Sequence, residues 1–446
     1  MGENIEAIYG PLAKNWRMVR LKDLVENGTA ELQTGPFGTM LHASAYQPKG
    51  TPVIAVQHIG ENSLRQGEYP LVDDDDTARL SRYKVRENDI LFGRKGAVDR
   101  RALIRSHESG WLQGSDCIRL RFNETIDARY ISYVLGTSAY KQWIVRHAHG
   151  ATMPSLNQEI LGLIPLPLPP LPEQKRIAHI LGTLDDKIEL NQRMNATLEA
   201  MARALFKSWF VDFDPVRAKI DGRKPEGMDA ETAALFPSEF SHSEHGVCPI
   251  GWKYVTIAEL CDINAWNLDK KDDLATLEYI EISEVNRGDI ANIATYQRGE
   301  EPSRARRRLC HGDTVLSTVR PDRGAYFLVL NPPDNRIAST GFAVLTPTKA
   351  PWSFIHAALT QPEVFYHLGQ MADGGAYPAV RPEIIGAMRT VMPNAPKILE
   401  TFHRICAPLF EQAEANRLQS RTLATLRDTL LPKLLRGESC MATVNA

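Results

Sequence analysis

Two stretches of the chain carry the side chains best suited to chemistry with an anion. Residues 82–105 hold eight Lys or Arg (82, 84, 86, 94, 95, 100, 101 and 105) against Glu87, Asp89 and Asp99, a net of +5. Residues 296–323 hold seven Arg (298, 304, 306, 307, 308, 320 and 323) against Glu300, Glu301, Asp313 and Asp322, a net of +3. Such cations neutralise phosphates, and arginine can also form bidentate bonds to guanine. Arg94 and Lys95 stand between Gly93 and Gly96, so their backbone can approach a ligand closely. The competing reading of each cation is an ordinary solvated charge or a local ion pair.

Catalytic patterns do not accompany these cations. Asn331-Pro-Pro-Asp334 ends in Asp, where a base-flipping methyltransferase needs an aromatic to stack on the extruded base, so it reads as a turn. No G-x-x-x-x-G-K-[ST] loop and no H-E-x-x-H helix is present. The first Glu after Pro321-Asp322 is Glu363, too distant for a nuclease metal pair. His147 and His149 have no acidic or Cys partner nearby, and no two of the six Cys form a C-x-x-C pair. No catalytic residue, metal or cofactor is expected. The chemistry legible here is that of binding.

The composition agrees with a folded, non-membrane protein. The chain has 446 residues, 43% hydrophobic and 24% charged, with 52 Lys plus Arg against 54 Asp plus Glu. That length suits two or three domains. A net charge of -2 excludes a wholesale polycation, so an anion-binding surface must be a local patch. The scattered cysteines read as reduced thiols, no apolar run is long enough for a membrane span, and the first ten residues do not resemble a signal peptide. A cytoplasmic location is expected.

The elements that must position the basic stretches come in two copies. Trp16 to Val19 followed by Leu24 recurs as Trp252 to Val255 followed by Leu260. Asn88-Asp89 recurs as Gly312-Asp313, Gly150 to Pro154 as Gly374 to Pro378, Glu159-Ile160 as Glu383-Ile384, and Pro169 and Pro172 as Pro393 and Pro396. All but the Trp pair share one offset, and an ordered series of that kind marks a tandem duplication. Each copy opens with a turn-rich α+β part, about 16–160 and 252–385. Each closes with a stretch almost free of Gly and Pro that reads as one long helix, about 172–210 and 396–436. Residues 212–250, rich in Pro, Gly, Ser and charge, read as a connector, and the acidic run Asp73–Asp76 as a solvated loop.

The two helices carry heptad seams. The first runs through Ile177, Leu181, Leu184, Ile188, Asn191, Asn195, Leu198, Ala202, Leu205 and Trp209. The second runs through Ile398, Phe402, Ile405, Leu409, Gln412, Asn416, Gln419, Leu423, Leu426 and Leu430. Placed antiparallel, Ile177 faces Leu430, Asn191 faces Asn416, Asn195 faces Gln412 and Trp209 faces Ile398. The buried amides would penalise slipped registers. Two independent amphipathic helices, each packed on its own domain, are the plainer alternative. A paired helix from 172 to 210 would be about 58 Å long. The expected architecture is α+β, with two tandem pseudo-twofold-related domains separated by a long antiparallel two-helix coiled coil.

This organisation resembles the specificity subunit of type I restriction-modification enzymes. The resemblance covers nearly the whole chain. It is most specific at Ile164-Pro-Leu-Pro-Leu-Pro-Pro-Leu-Pro-Glu-Gln-Lys-Arg-Ile177 and Leu205-Phe-Lys-Ser-Trp-Phe210, and extends to Gly35-Pro-Phe-Gly38, Gly93-Arg-Lys-Gly96, Thr318-Val-Arg-Pro321 and Ser339-Thr-Gly-Phe342. The second copy departs from it where Pro-Glu-Gln-Lys becomes Pro396-Lys-Ile-Leu and where Pro432 falls near the helix end.

The resemblance implies target recognition domain 1 at 1–160, spacer helix 1 at 161–211, a connector with target recognition domain 2 at 212–385, and spacer helix 2 with a tail at 386–446. Each recognition domain would read one half of an asymmetric bipartite site in double-stranded DNA. The helices would set the spacing and dock two methyltransferase subunits, and restriction subunits could join. The chain itself would be non-catalytic. The expected DNA contacts are Arg94, Lys95, Arg100 and Thr39 in the first copy and Arg320, Arg323 and Arg306 in the second. Gly35-Pro-Phe-Gly38 is either a loop against DNA or a tight turn whose Phe37 plugs the core. The turns at 150–154 and 374–378 read as hinges. The other function class is a coiled-coil interaction scaffold without a DNA role.

Overall fold

The computed structural model describes residues 15–37, 40–65, 67–150, 154–269, 271–375 and 377–437. It divides into two compact units, one formed by residues 1–188 and 421–446 and the other by 189–420. Thr39, expected among the DNA contacts, lies outside the described residues, as do Gly38, 151–153, Ala376 and Cys440.

The first unit is built on a four-stranded antiparallel sheet in the order Ala30–Thr34, Cys117–Phe122, Ile90–Gly93, Arg101–Leu103. Alternation along these strands sends Leu32, Leu120, Ile90, Phe92 and Ile118 to one face, where they join helices Ala128–Leu135 and Ser138–His147 in the main core. Trp16, the first residue of the repeated motif, packs edge-on against Tyr130 in that core, with ring centroids 6.5 Å apart. The opposite face meets a small sheet of Leu71–Val72, Thr51–Ile54 and Leu112–Gln113. The acidic run is a helix rather than a loop. Asp73 caps Asp74–Arg79 by accepting from the Asp76 amide at 2.8 Å, and carboxylates suit that end of a helix.

The second unit repeats the main sheet strand for strand: Cys261–Ile263, Phe342–Pro347, Thr314–Ser317, Tyr326–Leu328, again antiparallel. Helices Trp352–Leu359 and Pro362–Gln370 cover the core face. The other face packs on a four-stranded sheet that has no counterpart of that size among the described residues of the first unit: Ala294–Gln297, Thr276–Ile280, Arg336–Ser339, Ala305–Arg308. Residues 212–250 are more than a connector. They form helices Asp214–Ile220 and Ala230–Ala234 and the hairpin Phe240–Ser243/Gly246–Pro249. Phe213, Val216, Phe236 and Cys248 enter the second unit's core beside Trp209 and Trp252, which is why a stretch so polar in composition still folds.

Helices Leu171–Phe210 and Pro396–Leu435 are each continuous over 40 residues, and each unit takes a segment of both. In the first unit Ile177 and Leu181 share the core with Leu434 and Leu435, and Leu430 is packed against it. Asp185 ties the helices to the domain: it accepts from Arg427 at 2.7 Å, the Tyr133 hydroxyl at 2.7 Å and Asn62 at 3.2 Å. In the second unit Phe206, Trp209 and Phe210 surround Phe402. Arg417 is bound there by Glu199 and, at 3.1 Å, by Asp289.

The amide layer is buried but one turn out of the expected register. Asn416 donates to Asn195 Oδ1 at 2.9 Å, and Asn195 donates to Ala413 O at 3.0 Å. Asn191 donates to Gln419 Oε1 at 2.9 Å and Ser420 Oγ at 3.2 Å, and it meets its expected partner Asn416 only at the backbone carbonyl, at 3.3 Å. The second helix buries the small side chain of Cys406 in the aromatic-rich core, and buries Ala413, whose carbonyl accepts from Asn195, in the amide layer. Gln412, expected in the seam, is exposed and donates to Asn416 Oδ1, and Ile405 and Leu426 are exposed as well. Leu184, Ile188, Leu198, Leu205, Leu409 and Leu423 are half-buried. Among the described residues, no helix is long and apolar enough to cross a membrane.

Candidate nucleic-acid interface

In each unit one end of the main sheet presents an arginine beside an exposed aromatic ring. In the first unit Arg94 follows strand Ile90–Gly93, and its guanidinium lies 5.8 Å from the Phe37 ring centroid. Phe37 is 62% exposed, so it is not the core plug. Its loop is held by Gly35, whose amide donates to Cys117 O and whose missing Cβ would fall 1.9 Å from Gly114 O. In the second unit the Arg320 guanidinium lies 4.8 Å from the ring of Tyr377, which is 72% exposed. Cation–aromatic pairs at a surface hold a guanidinium in place while leaving its edge for other partners.

Matched hydrogen bonds fix the backbone of both sites. Leu156 donates to Arg94 O at 2.8 Å and Gly96 donates to Pro154 O at 3.0 Å. In the second unit Val380 donates to Thr318 O at 2.9 Å and Arg320 donates to Pro378 O at 2.7 Å. Thr318 therefore stands where Arg94 does, and Arg320 stands where Gly96 does. Both Gly96 and Arg320 are left-handed, at φ 76° and 46°. Glycine adopts that conformation freely, whereas arginine there costs about 1–2 kcal/mol. Pro154 and Pro378 thus hold the two sites through their carbonyls, and Tyr377 gives the second site its aromatic. Tyr377 is the residue that the sequence reading passed over.

The remaining expected contacts divide. Lys95 is half-exposed and 3.6 Å from Asp116. Arg100 is partly exposed and adjoins the same loop. Arg323 is exposed, three residues beyond Arg320 in the turn Pro321–Arg323. Arg306 lies apart, on strand Ala305–Arg308 of the other sheet, and pairs with Glu301 at 3.8 Å. Its neighbours Arg307 and Arg308 bind Asn267 and Asp272. Not every cation of the first basic stretch faces solvent. Arg101 is buried, its Nε donates to Ser132 O and Oγ, and burial pulls its pKa down to about 10 against the opposing charges of Glu61 and Asp185.

Comparison with known proteins finds relatives of one kind. The family described as Type I restriction modification DNA specificity domain matches residues 13–200. The chain is 27% identical over 357 residues to the Type I restriction enzyme HindI specificity subunit of Haemophilus influenzae, covering 68% of this chain and 74% of that protein. It is 24% identical over 319 residues to the MjaIX specificity subunit of Methanocaldococcus jannaschii, covering 70% and 69%. The crystal structure of a type I restriction-modification S subunit from M. genitalium shares the fold, with a TM-score of 0.54 at 15% identity over 95% of this chain and 97% of that one.

Proposed function

Through residues 13–200 the chain belongs to the type I restriction modification DNA specificity family, and from that premise we propose that each unit reads one half of an asymmetric bipartite DNA site. DNA recognition is the role of the family. The observation that carries the two-reader reading is the pair of arginine–aromatic sites, Arg94 with Phe37 and Arg320 with Tyr377, on sheets of one strand order. The two sites differ in which backbone position bears the arginine, so the two half-sites differ in sequence. Lys95, Arg100, Thr39 and Arg323 add phosphate or base contacts. Arg306, ion-paired on another sheet, contributes to the field more than to readout.

In this reading 1–160 and the larger part of 212–385 are target recognition domains. The 161–211 and 386–446 segments form the antiparallel spacer. The spacer sets the gap between half-sites and docks two methyltransferase subunits, which flip and methylate the target adenines, and restriction subunits join that assembly. The chain contributes no catalytic group, and the compartment that holds its DNA is the cytoplasm. A coiled-coil scaffold without a DNA role does not account for the arginine–aromatic sites.

The deciding experiment co-expresses the chain with its methyltransferase partner and maps methylated adenines by single-molecule sequencing. The expected result is one motif with two different halves around a fixed gap. Complex formation without sequence-specific methylation sinks the proposal. Inserting one heptad in both helices should lengthen the tolerated gap and leave both half-sites unchanged.

A further inference from the structure

The first unit contains a basic cleft that the interface above does not use. A cavity of about 470 Å³ opens between the 81–86 segment and strands Ala30–Thr34 and Cys117–Phe122, alongside the register pairs Glu31–Arg121 and Gln33–Arg119. Arg119 forms its inner wall with a side chain only 1% exposed. Its Nη1 donates to Arg82 O and Lys84 O, and its Nη2 donates to Glu31 Oε1 at 3.0 Å and Gln33 Oε1 at 2.8 Å. Its Nε makes no hydrogen bond among the described residues, and the Asp89 carboxylate lies 3.9 Å away. Gln33 is buried too, and with Oε1 taken by Arg119 its Nε2 also has no partner among the described residues.

Two buried donors without an acceptor cost about 1–3 kcal/mol each. The fold does not impose that cost. The second unit places Val344 at the position of Arg119, inside an apolar core with Val315 and Phe342. It places Asn264 at the position of Gln33, and there Oδ1 accepts from Val344 N at 3.0 Å. Charge points the same way as the orphan donors. Arg82, Lys84 and Arg86 stand around the cleft with Arg119 and Arg121, against Glu31 and the buried Asp89. Burial first, and then the neighbouring Arg121, lower the pKa of Arg119, with Asp89 and Glu31 pulling against them.

We infer that this cleft is an oxyanion site for a phosphoryl group, bound inside by Arg119 Nε and Gln33 Nε2 and at the mouth by Lys84 and Arg86. A phosphodiester of bound DNA and the phosphate of a free nucleotide present the same oxygens. The test is calorimetric titration of the full chain with inorganic phosphate, then with ATP, each repeated in the presence of a short duplex of unrelated sequence. One saturable site for phosphate is expected. Lys84→Ala with Arg86→Ala should weaken it at least tenfold without moving the melting temperature, because both side chains are at the surface. Gln33→Leu should weaken it as well.

Displacement of phosphate by the duplex assigns the site to the DNA backbone. Retention of phosphate with tighter binding of ATP assigns it to a free nucleotide. Absence of saturable phosphate binding overturns the inference, and so does binding that ignores both sets of substitutions. Because binding is read directly, the outcome is independent of whether the chain directs methylation.

Discussion

Asp89 and Asp313 occupy the same place in the two units, each one residue before the second strand of its main sheet to appear in the chain. Each accepts a hydrogen bond from the backbone amide three residues earlier, Arg86 N at 2.7 Å and Cys310 N at 2.6 Å. Both are buried. Beyond that the solutions diverge. Asp89 is gripped by Arg121, whose Nε and Nη2 donate at 2.7 Å. At the matching strand position the second unit has Thr346, which donates one neutral hydrogen bond to Asp313 at 2.7 Å. Burial pushes the Asp313 pKa up to about 6, with the Cys310 amide and Thr346 pulling against it. One fold therefore holds the same turn with an ion pair in one copy and a reluctant carboxylate in the other.

Breaking the ion pair gives the largest effect. Asp89→Asn removes the two charged hydrogen bonds of Arg121, leaves it only the half-exposed Glu31 at 4.0 Å, and should cost about 3–5 kcal/mol of first-unit stability, read by denaturant unfolding. The same change in the second unit should have the opposite sign. Asp313 is protonated more readily folded than unfolded, so its contribution is fully present below the unfolded pKa near 3.8 and is lost as pH rises through about 6. A shift of that size corresponds to about 3 kcal/mol. Asp313→Asn keeps an acceptor for Cys310 N–H and can donate to Thr346. It should therefore match the parent at pH 4 and exceed it at pH 8. Equal pH profiles for the two proteins would show that the second unit neutralises its carboxylate in some other way.

The recognition loops sharpen the contrast with smaller effects. Arg94→Ala should weaken binding at one half-site by about 1–3 kcal/mol while the other is still read, checked by scrambling each half-site separately. Equal loss at both half-sites would defeat the assignment of one unit to one half. Arg320→Gly restores the glycine found at the equivalent position of the first unit. It should raise stability by about 1 kcal/mol and still weaken DNA binding, because the left-handed backbone is relieved while the guanidinium over Tyr377 is lost.

What the sequence made legible follows from period and offset. The repeat marked two turn-rich α+β stretches without their sheet order, and the absence of Gly and Pro located both long helices. Arg94 stood out as a candidate because Gly93 and Gly96 flank it and Lys95, and Arg320 because it lies in a basic stretch within Thr318-Val-Arg-Pro321. The register of the helix pair was not. The heptad of the second helix was traced through its larger apolar residues, whereas packing buries Cys406 against aromatics that come from elsewhere in the chain and Ala413 beside Asn195. Residues 212–250 were obscured by composition, since Phe213, Val216 and Phe236 are few among many polar neighbours. Arg119 and Arg121 did leave a trace. They alternate with Ile118 and Leu120 along one strand, a period-2 pattern that places two cations on one face. Phe37 and Tyr377 carried none, because a loop aromatic has the same sequence whether it points inward or outward.

The division of the chain also sets an order of assembly during synthesis. The second unit is one uninterrupted segment, 189–420, and is complete as soon as that segment has emerged. The first unit is not complete until Leu434 and Leu435 arrive to close the core begun by Trp16 and Leu21. At about 5–20 residues per second, the wait after residue 188 lasts roughly 10–50 s. Throughout that interval the nascent first unit keeps Ile177 and Leu181 uncovered by their partners, so the unit that begins first on the ribosome finishes last.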